Sequence, residues 1–381
     1  MKKTLLLTLD FAPMVGGVAT YWANLCRYLP SEDIVVLAPE TGGTLEFDMR
    51  QPYLIYRYNL LWRNRWIWPK WLPFLFHAWK VCRREKIEQI IVGQILPGGT
   101  VALILKFFLG VRYFVSVHGQ DVAWCRRIRR KRLLARRVLA GADGIIANSE
   151  FTMELARKLY VDLPEKREII YPCPNEPVIL APQAAELLTK KLGLSDLCGR
   201  RALLTVGRLV ERKGHDKVLE ALDFLRDKYS DLIYFVVGGG AFVERLRGMV
   251  RALELEDRVF FFENVRNEEL ALFYEAAELF VMPSRELNDG DVEGFGIVYL
   301  EANLFSLPII GGRSGGVPEA VVHGETGLLV DGENVGEIVM AVSRLLDNRQ
   351  FADMLGQKGL RRARDEFRWE KQASKLIEII K

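Results

Sequence analysis

The sequence predicts an α/β fold made of two doubly wound, Rossmann-like domains facing each other across a cleft. Three observations lead there. The chain has 381 residues, more than a single core usually serves. Short apolar runs alternate with helical patterns almost from end to end, as in parallel sheets covered by helices on both faces. The alternation breaks once, at Tyr171-Pro172-Cys173-Pro174-Asn175, and then starts again.

In the first half the apolar runs are Thr4–Leu9, Ile34–Ala38, Gln89–Val92, Tyr113–Val117 and Gly144–Ala147. Each is short and ends in loop residues, which reads as a buried strand. Met1-Lys2-Lys3 before Thr4–Leu9 has the outline of a secretion signal. The apolar run stops at Asp10, however, and no small-residue cleavage site follows, so a first strand is the better reading. Two prolines in three residues cannot continue a helix or a central strand, which puts an interdomain linker at 171–175. Domains are therefore expected over 1–172 and 178–363. In the second, Arg201–Val206, Ile233–Val237, Val259–Phe262, Leu279–Met282, Pro308–Ile310 and Gly327–Val330 read as strands. The helices between and after them are expected at Lys217–Lys228, Ala241–Leu253, Glu268–Ala276, Val298–Leu304, Val317–His323 and Val335–Leu346.

Composition narrows the function classes. Half the residues are hydrophobic and 27% are charged, which is ordinary for a globular protein. Cys26, Cys82, Cys125, Cys173 and Cys198 are scattered and odd in number, so neither a disulfide framework nor a zinc site is expected and the compartment is read as cytoplasmic. No apolar run is long enough to cross a bilayer.

The chemistry-bearing segments stand where strands are expected to end. After the first strand come Gly16 and Gly17, which permit positive φ and close backbone approach, with helix amides able to face an anion. The segment is not G-x-G-x-x-G, which argues against a nicotinamide or flavin dehydrogenase. His118-Gly119-Gln120-Asp121 follows Tyr113–Val117, where an imidazole can hydrogen-bond a sugar hydroxyl. Gly207-Arg208 through Lys213-Gly214 follows Arg201–Val206. A guanidinium and an ammonium there suit a diphosphate whose charge grows as it leaves.

The most specific segment is Asp289-Gly290-Asp291-Val292-Glu293-Gly294-Phe295-Gly296-Ile297-Val298-Tyr299-Leu300-Glu301. It reads as a loop entering a helix near Gly296. Glu293 and Glu301 stand too far apart to share a proton as a glycosidase pair. Instead, Glu293 would accept from sugar hydroxyls, the amides around Phe295, Gly296 and Ile297 would hold sugar and diphosphate, and Glu301 would grip a ribose diol. Gly311 to Glu319 is a further glycine loop able to close such a site.

At these residues the chain resembles the family-4 retaining glycosyltransferases of GT-B fold. The matching residues are Gly16-Gly17, His118-Gly119-x-Asp121, Gly207-Arg208, Lys213-Gly214, Glu293, Glu301 and Gly315-Gly316-x-Pro318-Glu319. The resemblance implies that Gly16 and Gly17 contact the leaving diphosphate and that His118 lies beside the transferred sugar. It gives Arg208 and Lys213 to the diphosphate, Glu293 to the donor sugar and Glu301 to the ribose. Gly207, Phe295, Gly296, Ile297 and Val298 complete the expected donor site. The wording Gly-Asp-Val-Glu-Gly-Phe-Gly-Ile-Val is similar to the phosphatidylinositol mannoside mannosyltransferases that use GDP-mannose. The end of the chain, 364–381, resembles the helix that crosses back onto the first domain. Tyr171–Asn175 departs from the family's usual turn.

The expectation is thus transfer of a mannose- or glucose-type hexose from a GDP- or UDP-linked donor. The acceptor would be lipid-linked or a glycan, at the inner membrane face. No resident cofactor and no metal are implied, since Asp289-Gly290-Asp291 matches DxD only by letter. A non-hydrolysing nucleotide-sugar epimerase is the alternative of the same architecture, and a nucleotide-sugar-binding protein without catalysis is a third. Two segments hint at an anionic membrane surface. One is the aromatic-basic stretch Arg57–Trp79, with Trp62, Trp66, Trp68, Trp71, Phe74, Phe76 and Trp79 and the cations Arg57, Arg63, Arg65 and Lys70. The other is Arg126–Arg137, which has no acidic residue. The same composition can suit nucleic acid, but no nucleic-acid module is present.

Overall fold

The computed structural model describes residues 1–14, 16–62, 64, 66, 68–159, 163–176 and 199–381. Cys198, Arg63 and Arg65, and the start of the second domain as expected from the sequence, lie outside the described residues. The chain divides into two compact units, Met1–Pro172 with Arg368–Lys381, and Cys173–Phe367.

The first unit holds strands β1 (Thr4–Leu7), β2 (Ile34–Pro39), β3 (Leu54–Tyr58), β4 (Gln89–Val92), β5 (Arg112–Val117), β6 (Gly144–Ala147) and β7 (Arg167–Ile169). Every pairing is parallel and the order is β3-β2-β1-β4-β5-β6-β7. The central strands β1, β4 and β6 are buried at every residue, as sheets covered on both faces require. The sequence reading omitted β3 and β7. Both are edge strands: β3 is at least partly exposed throughout, and β7 is three residues with Arg167 and Glu168 in it. Neither carries the continuous apolar run that marks a central strand.

The second unit holds β8 (Arg201–Val206), β9 (Leu232–Val237), β10 (Val259–Phe262), β11 (Leu279–Met282), β12 (Ile309–Gly312) and β13 (Gly327–Val330). They too are all parallel, in the order β10-β9-β8-β11-β12-β13. Counted within its own unit, the second sheet runs 3-2-1-4-5-6, the doubly wound order, and the first runs the same with β7 added at its edge. The order reverses between β1 and β4 and again between β8 and β11, and ligands of such sheets bind beyond the carboxyl ends there.

The end of the chain differs in detail from the expected helix over 364–381. An 18-residue helix, Arg349–Glu366, closes the second unit, and a separate helix, Trp369–Ile380, begins after Phe367-Arg368. Trp369–Ile380 packs on the helix Gly17–Arg27 and on β7 of the first unit. Trp369 meets Tyr21 edge-on, and Gln372 accepts from the Tyr171 amide at 3.0 Å.

Candidate active site

Two loops of the second unit carry the charged groups. After β8 the chain passes Gly207-Arg208 into a 3₁₀ turn, Glu211–Lys213, and then the helix His215–Leu225. After β11 it runs without regular structure to the helix Ile297–Leu304. β8 and β11 are neighbours at the reversal of strand order, so both loops leave the sheet side by side.

Lys213 Nζ lies 2.5 Å from Glu293 Oε2, and both side chains are largely buried. Arg212 lies 3.8 Å from the same oxygen and 3.5 Å from Asp291. Arg208 is exposed and has no ion pair among the described residues, yet its charge acts on both Lys213 and Glu293. Burial pushes the Glu293 carboxyl up. Lys213, Arg212 and Arg208 outweigh it and hold the group below the usual carboxylate range. Burial pulls the Lys213 ammonium down, with Glu293 opposing. Three cations meet two carboxylates, and the surplus cation is the exposed Arg208. That arrangement favours an anionic ligand able to accept from a planar guanidinium.

The backbone at Glu293 is itself held by a glycine loop. Gly315, at φ 59, lets the loop after β12 press against the Glu293 carbonyl; a Cβ there would stand 2.2 Å from that oxygen. The Gly316 amide donates to the same oxygen at 2.9 Å. Gly296, at φ 92, opens the helix Ile297–Leu304, which has no side-chain cap and no acidic residue in its first turn. Its first amides lack partners within the helix. Phe295 does not offer its side chain to such a site: the ring is buried against Phe367, so only its backbone can face a ligand. Glu301, in the second turn of the helix, accepts from Tyr274 Oη at 3.1 Å, and burial raises its carboxyl against that hydrogen bond.

Further residues, to which the sequence reading assigned no role, brace this arrangement. Arg285 is buried and donates twice to Asp216, at 2.8 Å each, with Glu333 2.9 Å away. Its amide donates to the Arg212 carbonyl at 2.8 Å, tying the loop after β11 to the 3₁₀ turn. His215 is buried between Tyr234 Oη and the Arg208 carbonyl, and burial lowers its imidazole to about 4. The position of Arg285 just past a strand end was the one local signal; its partner Asp216 is remote in sequence. Asp291, the second acid of the DxD-like letters, faces Arg212.

In the first unit, His118 follows β5. Its Nε2 lies 3.1 Å from Ser116 Oγ, and its amide donates to Asp121 Oδ1 at 2.9 Å. Tyr21 and Trp22 meet the ring edge-on. Burial lowers the imidazole to about 4 and raises the Asp121 carboxyl to about 6. Gly16 and Gly17 open the uncapped helix Gly17–Arg27. Gly16 does not use the positive φ that glycine permits: its φ of 166 is extended backbone open to any residue. What distinguishes both glycines is that no described residue comes within 4 Å of where a Cβ would stand.

Comparison with known proteins bears on this site. Residues 198–362 match the family model described as Glycosyl transferases group 1, and residues 15–175 match Glycosyltransferase Family 4. Over 384 residues the chain is 30% identical to the GDP-mannose-dependent alpha-(1-6)-phosphatidylinositol monomannoside mannosyltransferase of Mycolicibacterium smegmatis, covering 99% of this chain and 97% of the relative. The chain is a family-4 glycosyltransferase. This membership excludes the epimerase reading. The transferase is also 28% identical to the Corynebacterium glutamicum enzyme acting on the monoacylated phosphatidylinositol monomannoside, covering 100% of this chain and 98% of that one. The fold of Anabaena HepE, solved with UDP and glucose, superposes at a TM-score of 0.82 and 19% identity over 100% of the transferase and 99% of HepE. The transferase therefore has the GT-B fold class: two parallel Rossmann-like sheets in one chain.

Proposed function

We propose that this transferase moves mannose from GDP-mannose to a lipid-linked acceptor at the inner face of the membrane, retaining the anomeric configuration without a metal ion. The observation that carries the donor site is the Arg208–Lys213–Glu293 cluster at the carboxyl ends of β8 and β11. Arg208 and Lys213 take the diphosphate. Lys213 has three N–H donors and can hold Glu293 and a phosphate oxygen together. Glu293, kept anionic, accepts from the sugar hydroxyls. The amide end of Ile297–Leu304 and Gly207 line the phosphates, and Glu301, oriented by Tyr274, takes the ribose diol. Within the first unit, Gly16, Gly17 and His118 stand at strand-to-helix junctions suited to contact an anion or a sugar hydroxyl.

Retention follows from same-face attack: the acceptor hydroxyl approaches as the diphosphate departs, and the departing phosphate takes its proton. The protein's share is electrostatic, stabilising a leaving anion and an oxocarbenium-like sugar. Full-length similarity to GDP-mannose-dependent relatives supports both the donor and a phosphatidylinositol-type acceptor. Among the described residues no helix is long and apolar enough to cross a membrane, so contact with the bilayer is read as peripheral.

Unfolding temperature in a panel of GDP-mannose, UDP-glucose and ADP-glucose tests the donor. Ligands that bind the folded state raise it by mass action. GDP-mannose is expected to raise it most, with mannosyl transfer to a phosphatidylinositol acceptor unaffected by EDTA. A larger rise with UDP-glucose overturns the base and sugar, and activity lost on chelation and restored by magnesium overturns metal independence.

A further inference from the structure

In the first unit the helix Leu72–Arg84 packs beside Gly98–Leu109, which packs in turn on Arg129–Gly141. Between the first two helices lies an open groove of about 860 Å³. Trp62, Leu75, Phe76, Trp79, Ile104 and Phe108 form much of its wall, and Arg83 lines it as well. The aromatics do not stop at the groove: Trp66 and Trp68 are 81% and 85% exposed, and Phe107 is 83% exposed. Not all of the aromatic-basic stretch belongs to this surface. Arg57 is buried on Asp48 and on the Ala12 and Pro39 carbonyls, Phe74 is core, and Trp71 packs against the core. The remaining aromatics make a patch of the kind that marks an interaction surface, since exposed apolar area forfeits roughly 25 cal/mol per Å².

Charge identifies the occupant. Arg83 lines the groove, Lys80 and Arg84 are exposed on the same helix, and Lys70 is exposed just before it. The helix Arg129–Gly141, packed on Gly98–Leu109, and the helix Gln120–Arg127 packed on it carry eight cations between 126 and 137, with no acid among them. A second copy docking isologously would bring the same cations against themselves. Nucleic acid leaves an apolar groove unfilled. Tryptophans interleaved with lysine and arginine beside an apolar channel match an anionic bilayer, where aromatic rings sit at the headgroup level and hydrocarbon lies just below. The Arg83 guanidinium lies 5.7 Å from the centre of the Trp79 ring, so a cation stands at the groove itself.

We propose that this groove takes one acyl chain of an anionic membrane phospholipid, with Arg83 meeting its phosphate. The proposal rests on the reading of the transferase as a peripheral membrane enzyme. The probe is lysophosphatidylglycerol below its micellar concentration, with vesicles containing phosphatidylglycerol run in parallel. The wild-type chain is expected to bind the monomeric lipid saturably, and a brominated chain to quench tryptophan fluorescence. Ile104→Trp, which fills the groove, is expected to weaken lysolipid binding by about tenfold or more while leaving most vesicle binding in place. Trp79→Phe, a milder change, is expected to remove part of the quenching and supplies the readout should Ile104→Trp not fold. Failure of the wild type to bind anionic vesicles overturns the membrane reading and this proposal with it. Vesicle binding without lysolipid binding, or a folded Ile104→Trp that binds lysolipid as the wild type does, overturns the groove alone. A dimer formed through this face without lysolipid binding overturns it in favour of a second copy.

Discussion

Lys213 and Glu293 are joined across 80 residues of sequence by a contact of 2.5 Å in largely buried surroundings. A buried ion pair adds little to stability once the loss of hydration is counted. Its placement is better explained by charge held ready: a carboxylate kept ionised and an ammonium fixed beside it. Arg208, exposed and without an ion partner among the described residues, is placed to swing onto a ligand. If both cations stabilise the leaving diphosphate, Arg208→Ala and Lys213→Ala each remove about 3 kcal/mol of transition-state stabilisation, on the order of a hundredfold in kcat. Steady-state kinetics are expected to show that loss with a smaller rise in donor KM. Near-normal turnover in both variants rejects the assignment. These residues were legible in the sequence because each sits on a glycine-flanked loop after an apolar run. Arg212 stands in the same loop, but nothing in its local position sets it apart; its two acidic neighbours, Asp291 and Glu293, belong to another loop.

At the scale of elements, the site is two strand-to-helix loops clasped by a third. The clasp is the glycine loop after β12, whose Gly315 and Gly316 lie against the Glu293–Gly294 backbone. Gly315→Ala would force a Cβ to 2.2 Å from a carbonyl that cannot rotate away, in a left-handed conformation costing an alanine roughly 1–2 kcal/mol. Gly324→Ala is the control: its φ of 77 is also left-handed, but no described residue lies within 4 Å of the added Cβ. Gly315→Ala is expected to lower the unfolding temperature more than Gly324→Ala and to weaken donor binding, which the control leaves unchanged. Equal losses in both would show that the clasp does not shape the Glu293 loop. The sequence marked this loop as a glycine turn before a helix. It did not mark what the turn touches, because the contact is made by backbone atoms that any residue at 293 and 294 would present.

For the whole molecule, stability should respond to acid through its buried histidines. His118 and His215 are neutral in the folded chain down to about pH 4, because burial penalises their charged forms. In the unfolded chain they take up protons near pH 6.5. The unfolded state therefore binds more protons between these values, and stability falls as pH drops from about 6.5 towards 4. Each histidine contributes a slope of up to about 1.4 kcal/mol per pH unit. Asp121 acts the other way, since burial raises its carboxyl to about 6 and the folded state binds that proton first. Denaturant unfolding between pH 4 and 6.5 is expected to show a shallower acid loss in His118→Gln than in the parent. An unchanged slope would mean that the His118 imidazole is not held neutral by the fold.

Much of this architecture can be read from the chain before it is folded. Alternating apolar runs, the proline pair near 172 and the glycines after each strand are local signals, and local periodicity decides which segments become central strands and where loops leave them. The edge strands β3 and β7 and the mostly polar helix Arg349–Glu366 carry weak periodicity, and only packing against neighbours decided them. The same division holds at the site. Lys213, Glu293 and Glu301 announce themselves by position, whereas Tyr274 on Glu301 and Arg285 on Asp216 do not. Those partners are far apart in the chain and meet only because parallel sheets return each strand's carboxyl end to the same edge. Which side chains share a buried, weakly screened space is set by that return, and no stretch of sequence contains it.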